Sequence, residues 1–216
     1  MQTEAVWRAL PRKIREVLAE KDLHDLQEIR LRSGQPLLLK RENRLFSLGK
    51  EGAFLPAADE KGMRISMADL RETVSLLSGY SLYAFEEELR QGYLTIEGGH
   101  RVGFCGKAVL ENGEIRTLRQ INALNIRIAR ERKGWGETLL PLLLEKNTLC
   151  HTLIVSPPGC GKTTLLRDLI RCLSERGKTV GVVDERGEIA PLRDGMPQMD
   201  VGPCTDILEG CPKAKG

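Results

Sequence analysis

Gly159, Gly161, Lys162, Thr163 and Thr164 are the residues of this chain whose types and spacing best suit chemistry on phosphate. An apolar run from His151 to Val155 leads into Ser156-Pro157-Pro158-Gly159-Cys160-Gly161, and a helical pattern opens at Lys162-Thr163-Thr164. A glycine-rich turn between strand and helix aims successive backbone N–H groups at phosphate oxygens, and the positive end of the helix points the same way. In this reading Pro158, Gly159, Cys160, Gly161 and Thr164 form the cradle. Lys162 reaches the β- and γ-phosphates and Thr163 ligates Mg²⁺. The loop binds through its backbone, so the Cys160 thiol is assigned no chemistry. The usual pattern opens with glycine, and Ser156 stands at that place. A plain Gly/Pro-rich connector is the alternative.

Val180-Gly-Val-Val-Asp184-Glu185 is an apolar run that ends in acids. As the first strand after the loop helix it is not read as the Mg²⁺-holding strand. Glu185, with Glu188 as an alternate, is instead placed at a strand end, where a carboxylate orients or deprotonates attacking water. A solvated Asp-Glu-Arg turn fits the same residues. Guanidinium groups pair bidentately with phosphate, which makes Arg101, Arg127 and Arg130 candidate donors; solvent-facing strand arginines are the plainer reading. His24, His100 and His151 are isolated and given no metal role, and Trp7 and Trp135 read as packing residues.

The elements that must position these groups follow from periodicity. Val6, Trp7, Leu10, Ile14, Val17 and Leu18 share one helical face, interrupted at Pro11. Glu28 to Arg32, a turn at Ser33-Gly34-Gln35-Pro36, and Leu37 to Leu39 read as strand, turn, strand. Ser66 with Asp69 forms a capping box opening a helix that Gly79 closes. A further helix is expected from about Ser81 to Gly92. Tyr93 to Cys105 reads as a hairpin about Gly98-Gly99, with a second hairpin at Glu111-Asn112-Gly113 and a strand from Asn125 to Arg130. Lys133-Gly134-Trp135-Gly136 is the expected linker. It is followed by a short helix, the loop strand, a helix to about Arg176, and a strand from Thr179 to Val183. This gives an α/β chain: an N-terminal α+β domain over 1–133, then the start of a parallel-sheet domain over 134–216.

Composition restricts the partners. A net charge of +3 is too small to indicate nucleic acid or a membrane surface. The six cysteines lack paired C-x-x-C spacing and read as reduced thiols. No apolar stretch is long enough to span a bilayer, so the expectation is a cytoplasmic chain.

Several of these segments together resemble the stage III sporulation protein AA family. They are Glu28 to Arg32, Tyr93 to Gly103, Asn125 to Arg130, Ser156 to Asp168 and Val183 to Ala190. That family is similar to the P-loop (RecA-like, AAA+-type) ATPases of type II and type IV secretion. The resemblance implies an ATPase using ATP and Mg²⁺ that powers assembly or transport of the mother cell–forespore channel during endospore formation. It also implies a homo-oligomeric ring, channel proteins embedded in the membrane as partners, and a peripheral position on the mother-cell side. Lys162, Thr163 and the loop glycines match the phosphate-binding residues, Glu185 the catalytic carboxylate, and Arg101 and Arg127 the N-terminal arginines offered to nucleotide. Family members continue past Cys211-Pro-Lys-Ala with a helix and an Asp-Glu-ended strand. The ATPase domain is therefore expected to be C-terminally incomplete, binding Mg-ATP weakly and hydrolysing it negligibly. The alternative function is a non-hydrolysing nucleotide- or nucleic-acid-binding module.

Overall fold

The computed structural model describes residues 3–19, 24–57, 59–79, 90, 92–157 and 160–215. They form two compact units, Met1–Ala129 and Arg130–Gly216.

Unit 1 opens with α1 (Glu4–Arg8) and α2 (Arg12–Ala19), separated at Pro11 as the sequence predicts. The proline ring cannot donate an N–H within a helix, but its carbonyl accepts from the N–H groups of Ile14 and Arg15, so the break doubles as the start of α2. Val6, Leu10, Ile14 and Leu18 enter the core, with Trp7 and Val17 packed partly buried against it. Strands β1 (Leu26–Arg32), β2 (Leu38–Arg41), β3 (Arg44–Leu48) and β4 (Phe54–Pro56) form a meander, and α3 (Met67–Leu77) follows. Next come β5 (Tyr93–Ile96), β6 (His100–Glu111) and β7 (Glu114–Arg127). All seven pair antiparallel in the order β4-β3-β2-β1-β7-β6-β5. Asn112 (φ 53°) and Gly113 (φ 83°) make the tight turn between β6 and β7, where both central residues need positive φ. The helix expected from Ser81 falls largely on residues outside the described ones.

The capping box is present. Ser66 Oγ accepts from the Asp69 N–H at 3.2 Å, and the Asp69 carboxylate accepts from the Ser66 N–H at 2.7 Å. Ser66→Ala removes one half of it and will cost about 1 kcal/mol of stability, read from urea denaturation.

Unit 2 begins with α4 (Trp135–Leu143), so Trp135 and Gly136, expected in a connector, form a first helical turn instead. A small hairpin, β8 (Leu144–Glu145) and β9 (Thr148–Leu149), leads toward α5 (Lys162–Glu175), which stops at Gly177 (φ 75°). Strand β10 (Val180–Asp184) follows, then the hairpin of β11 (Leu192–Arg193) and β12 (Met196–Pro197), and β13 (Thr205–Glu209). β10 and β13 run parallel, in register from Val180↔Thr205 to Asp184↔Glu209.

One expected strand is missing. Residues 151–157 carry the apolar run but join no sheet among the described residues, with Leu153 and Val155 87% and 79% exposed. Within that run Ile154 packs inward, partly buried. The segment and β10 both line a groove of about 440 Å³, to which they contribute Thr152, Ile154, Val180 and Val182. A strand requires a neighbour for its backbone donors and acceptors, and among the described residues this segment has no strand neighbour. No helix among the described residues is long and apolar enough to cross a membrane.

Candidate phosphate-loop site

Gly161 caps α5 in the left-handed conformation (φ 82°, ψ 13°), a backbone state that favours glycine. Among the described residues no side chain caps this end, and the Gly161 carbonyl already accepts from Leu165 at 2.9 Å. The N–H groups of the first turn therefore form an electropositive helix end. Lys162 folds back across the loop: its ammonium donates to Ser156 O at 2.7 Å, Pro157 O at 3.0 Å and Ser156 Oγ at 3.3 Å. Thr163 and Thr164 are half-buried in the same turn, and Cys160 is exposed. Pro158 and Gly159 lie outside the described residues. The structure thus brings Ser156, Gly161, Lys162, Thr163 and Thr164 together at one helix end.

The acids at the end of β10 divide their work. Asp184 is 3% exposed, and its carboxylate accepts three backbone N–H groups, from Glu188 (3.0 Å), Ile189 (2.8 Å) and Ala190 (2.9 Å). It is a loop anchor with its oxygens engaged. Glu185, the next residue, is exposed at the start of the loop that Asp184 closes. Arg167 of α5 braces the same loop, donating to Glu188 O at 2.7 Å and to Ile189 O. Burial lowers the Arg167 pKa against the opposing charges of Glu131 and Asp184. Glu209, in register with Asp184, is a carboxyl the sequence reading missed. Its pKa is raised by burial, opposed by the Leu192 N–H it accepts and reinforced by the charge of Asp184. No motif marked it, because its position depends on an unforeseen strand, β13.

A buried ionic network ties α4 to α5. Asp168 (3% exposed) accepts from the Gly136 N–H at 2.7 Å and from Arg171 Nε and Nη2 at 2.9 and 2.7 Å. Arg171 also reaches Glu175 at 2.7 Å and Glu137 at 3.0 Å. Burial opposes ionisation of Asp168, but the Gly136 N–H and the Arg171 guanidinium outweigh it and leave the pKa below its ordinary value. The depressed folded-state pKa gives stability that is present above the unfolded value of about 4 and lost as pH falls through the folded one. Asp200, held low chiefly by Lys133, acts in the same direction. Protection of the α5 amides relative to their intrinsic exchange rate will fall on acidification below about pH 4, and Asp168→Asn will flatten that acid dependence while lowering stability at neutral pH.

In unit 1, Arg101 and Arg127 are direct register partners on β6 and β7 and so share a sheet face. The guanidinium carbon of Arg101 sits 3.5 Å from the centroid of the Tyr93 ring, a cation–π contact that fixes its direction. Arg130 opens unit 2, where its carbonyl accepts from Arg167 Nη1 at 3.4 Å.

A left-handed glycine leading into Lys-Thr-Thr at a helix start, with an acid-ended strand following that helix, makes the second unit α/β of P-loop type. The chain belongs to the family described as Sporulation stage III, protein AA, whose model matches residues 1–216. It is 42% identical over 216 residues to stage III sporulation protein AA of Bacillus subtilis (strain 168), covering 96% of this chain and 66% of that relative. Among solved structures it is similar to the Legionella pneumophila ATPase DotB (18% identity, TM-score 0.43, 93% of this chain and 52% of that one). The pilus retraction motor PilT with bound ADP is a further match (16% identity, TM-score 0.48, 92% and 52%).

Proposed function

We propose that this chain carries the nucleotide site of an ATPase that powers assembly or transport of the channel between mother cell and forespore. The observation that carries the reading is the loop itself: Gly161 turns the backbone into α5, and the Lys162 ammonium lies across the loop carbonyls at the electropositive end of that helix. These residues fit a magnesium-bound triphosphate. The N–H groups around Gly161 to Thr164 bind phosphate oxygens, Lys162 exchanges its carbonyl partners for the β- and γ-phosphates, and the Thr163 hydroxyl holds the metal. Mg²⁺, when bound, supplies positive charge to the phosphate oxygens. Glu185 orients or deprotonates the attacking water, and Asp184 fixes the loop that Glu185 opens. Arg101 and Arg127, paired across β6 and β7, are the guanidinium donors to phosphate.

The working form in this proposal is a homo-oligomeric ring, cytoplasmic on the mother-cell side and docked on membrane-embedded channel proteins. Calorimetric titration with Mg-ATP tests the nucleotide site: the expected result is one site per chain for which ADP competes. The absence of saturable binding would end the reading.

A further inference from the structure

Trp135 is an aromatic side chain beside Gly161 of the phosphate loop. A methyl group built on Gly161 would lie 3.3 Å from Trp135 Cζ3 and 3.9 Å from Cη2, so one edge of the indole rests against the glycine that caps α5. Trp135 is 47% exposed and belongs to none of the hydrophobic clusters among the described residues, whereas Trp7 packs against the core of unit 1.

An exposed indole usually gains its freedom from a loose backbone. This one is fixed. Its neighbour Gly136 donates to Asp168 at 2.7 Å, and Glu137 receives Arg171 at 3.0 Å. Upstream, Lys133 pairs with Asp200, and the Asp200 N–H donates to Glu131. The segment from 131 to 137 is thus strapped to α5 and to the 200 loop on both sides of the tryptophan. A half-exposed aromatic on a rigid, buried-ion-pair support is a preorganised surface.

We infer that Trp135 is the platform on which the base of the bound nucleotide stacks. The inference rests on the phosphate-loop reading above. With phosphates anchored around Gly161 to Thr164, the sugar and base extend away from the loop, and the indole beside Gly161 offers them a flat π face. Stacking on such a face gives affinity without base identity, because every base has a π surface. The site therefore takes ATP and GTP alike, and the triphosphate alone gains nothing from the ring.

Trp7 and Trp135 are the two tryptophans of the chain, so Trp7→Phe leaves Trp135 as the sole indole reporter. In that background Mg-ATP and Mg-GTP will change Trp135 emission, and inorganic tripolyphosphate with Mg²⁺ will bind with a clearly smaller change. By calorimetry, Trp135→Ala will weaken both nucleotides about tenfold and leave tripolyphosphate within about twofold. Trp135→Phe, which keeps a ring, will recover most of the loss, separating stacking from a packing defect. Equal weakening of nucleotide and tripolyphosphate, or nucleotide affinity indifferent to Trp135, would overturn the platform while leaving the phosphate loop intact. If neither ligand binds the unsubstituted chain, the phosphate-loop reading fails and the platform with it.

Discussion

Lys162→Ala will weaken Mg-ATP binding at least about 100-fold, a loss set by two or more charge-assisted hydrogen bonds of roughly 1.5–3 kcal/mol each. The ammonium is the cation the loop closes around, donating to Ser156 O, Pro157 O and Ser156 Oγ. Those contacts hold the first half of the loop against α5 and place the charge where phosphate oxygens would arrive. The alanine variant loses both the direct contact and the closure of the loop, and the two losses have the same sign. Lys162→Arg will not restore binding, because a planar fork cannot replace a compact ammonium among converging carbonyls. Calorimetric titration of the three chains decides the matter; an affinity in Lys162→Ala within about threefold of the parent would remove the lysine from the site.

Gly136→Ala will destabilise the Arg130–Gly216 unit by about 3 kcal/mol. A β-carbon there would sit 2.7 Å from the carbonyl carbon and oxygen of Asp168 and 2.8 Å from Leu169 N. These are backbone atoms of a buried helix turn and cannot swing aside, so α4 must lift away from α5. The lift stretches the bond from the Gly136 N–H to Asp168 and exposes an ion pair that is otherwise sealed. Gly181→Ala in β10 is the control, since its added carbon meets nothing within 4 Å. It is expected to change stability by no more than about 0.5 kcal/mol. Amide exchange of α5 under increasing urea will separate the two variants.

What could be read ahead of the structure was what local chemistry decides. Pro11 breaks a helix wherever it stands, Ser66 and Asp69 satisfy each other across one turn, and Asn112-Gly113 accepts the two positive φ values of a tight hairpin. The lysine and threonines of the loop were legible for the same reason, as a few adjacent residues around one helix start. The apolar run along 151–155 could not reveal whether a neighbouring strand lies within hydrogen-bonding distance. Gly134 and Gly136 looked like flexibility, yet Gly136 is there because a helix backbone comes too close for any side chain. Asp184 and Glu185 were indistinguishable as adjacent acids. Only the fold turns one inward to three N–H groups and leaves the other exposed. The roles of Arg167, Asp168 and Arg171 were hidden because helical periodicity predicts burial of apolar residues, and these three are buried charges, satisfied by one another and Glu175 along the helix and by Gly136, Glu137 and the loop carbonyls from afar.

The seven-stranded sheet is two local meanders, β4 to β1 and β5 to β7, joined along a single seam. That seam pairs Glu28 to Arg32 with Ala123 to Arg127, so its partners leave the ribosome far apart in time. At about 5–20 residues per second, β1 waits on the order of 5–20 s for β7. Throughout that interval its β7-facing edge lacks its partner. Glu28, Arg30 and Arg32 give the waiting strand alternating charges, which disfavour pairing with a second nascent chain. Closure of the seam is thus the slow, non-local step in the birth of this unit, and substitutions that neutralise those charges will act first on the yield of folded protein during synthesis.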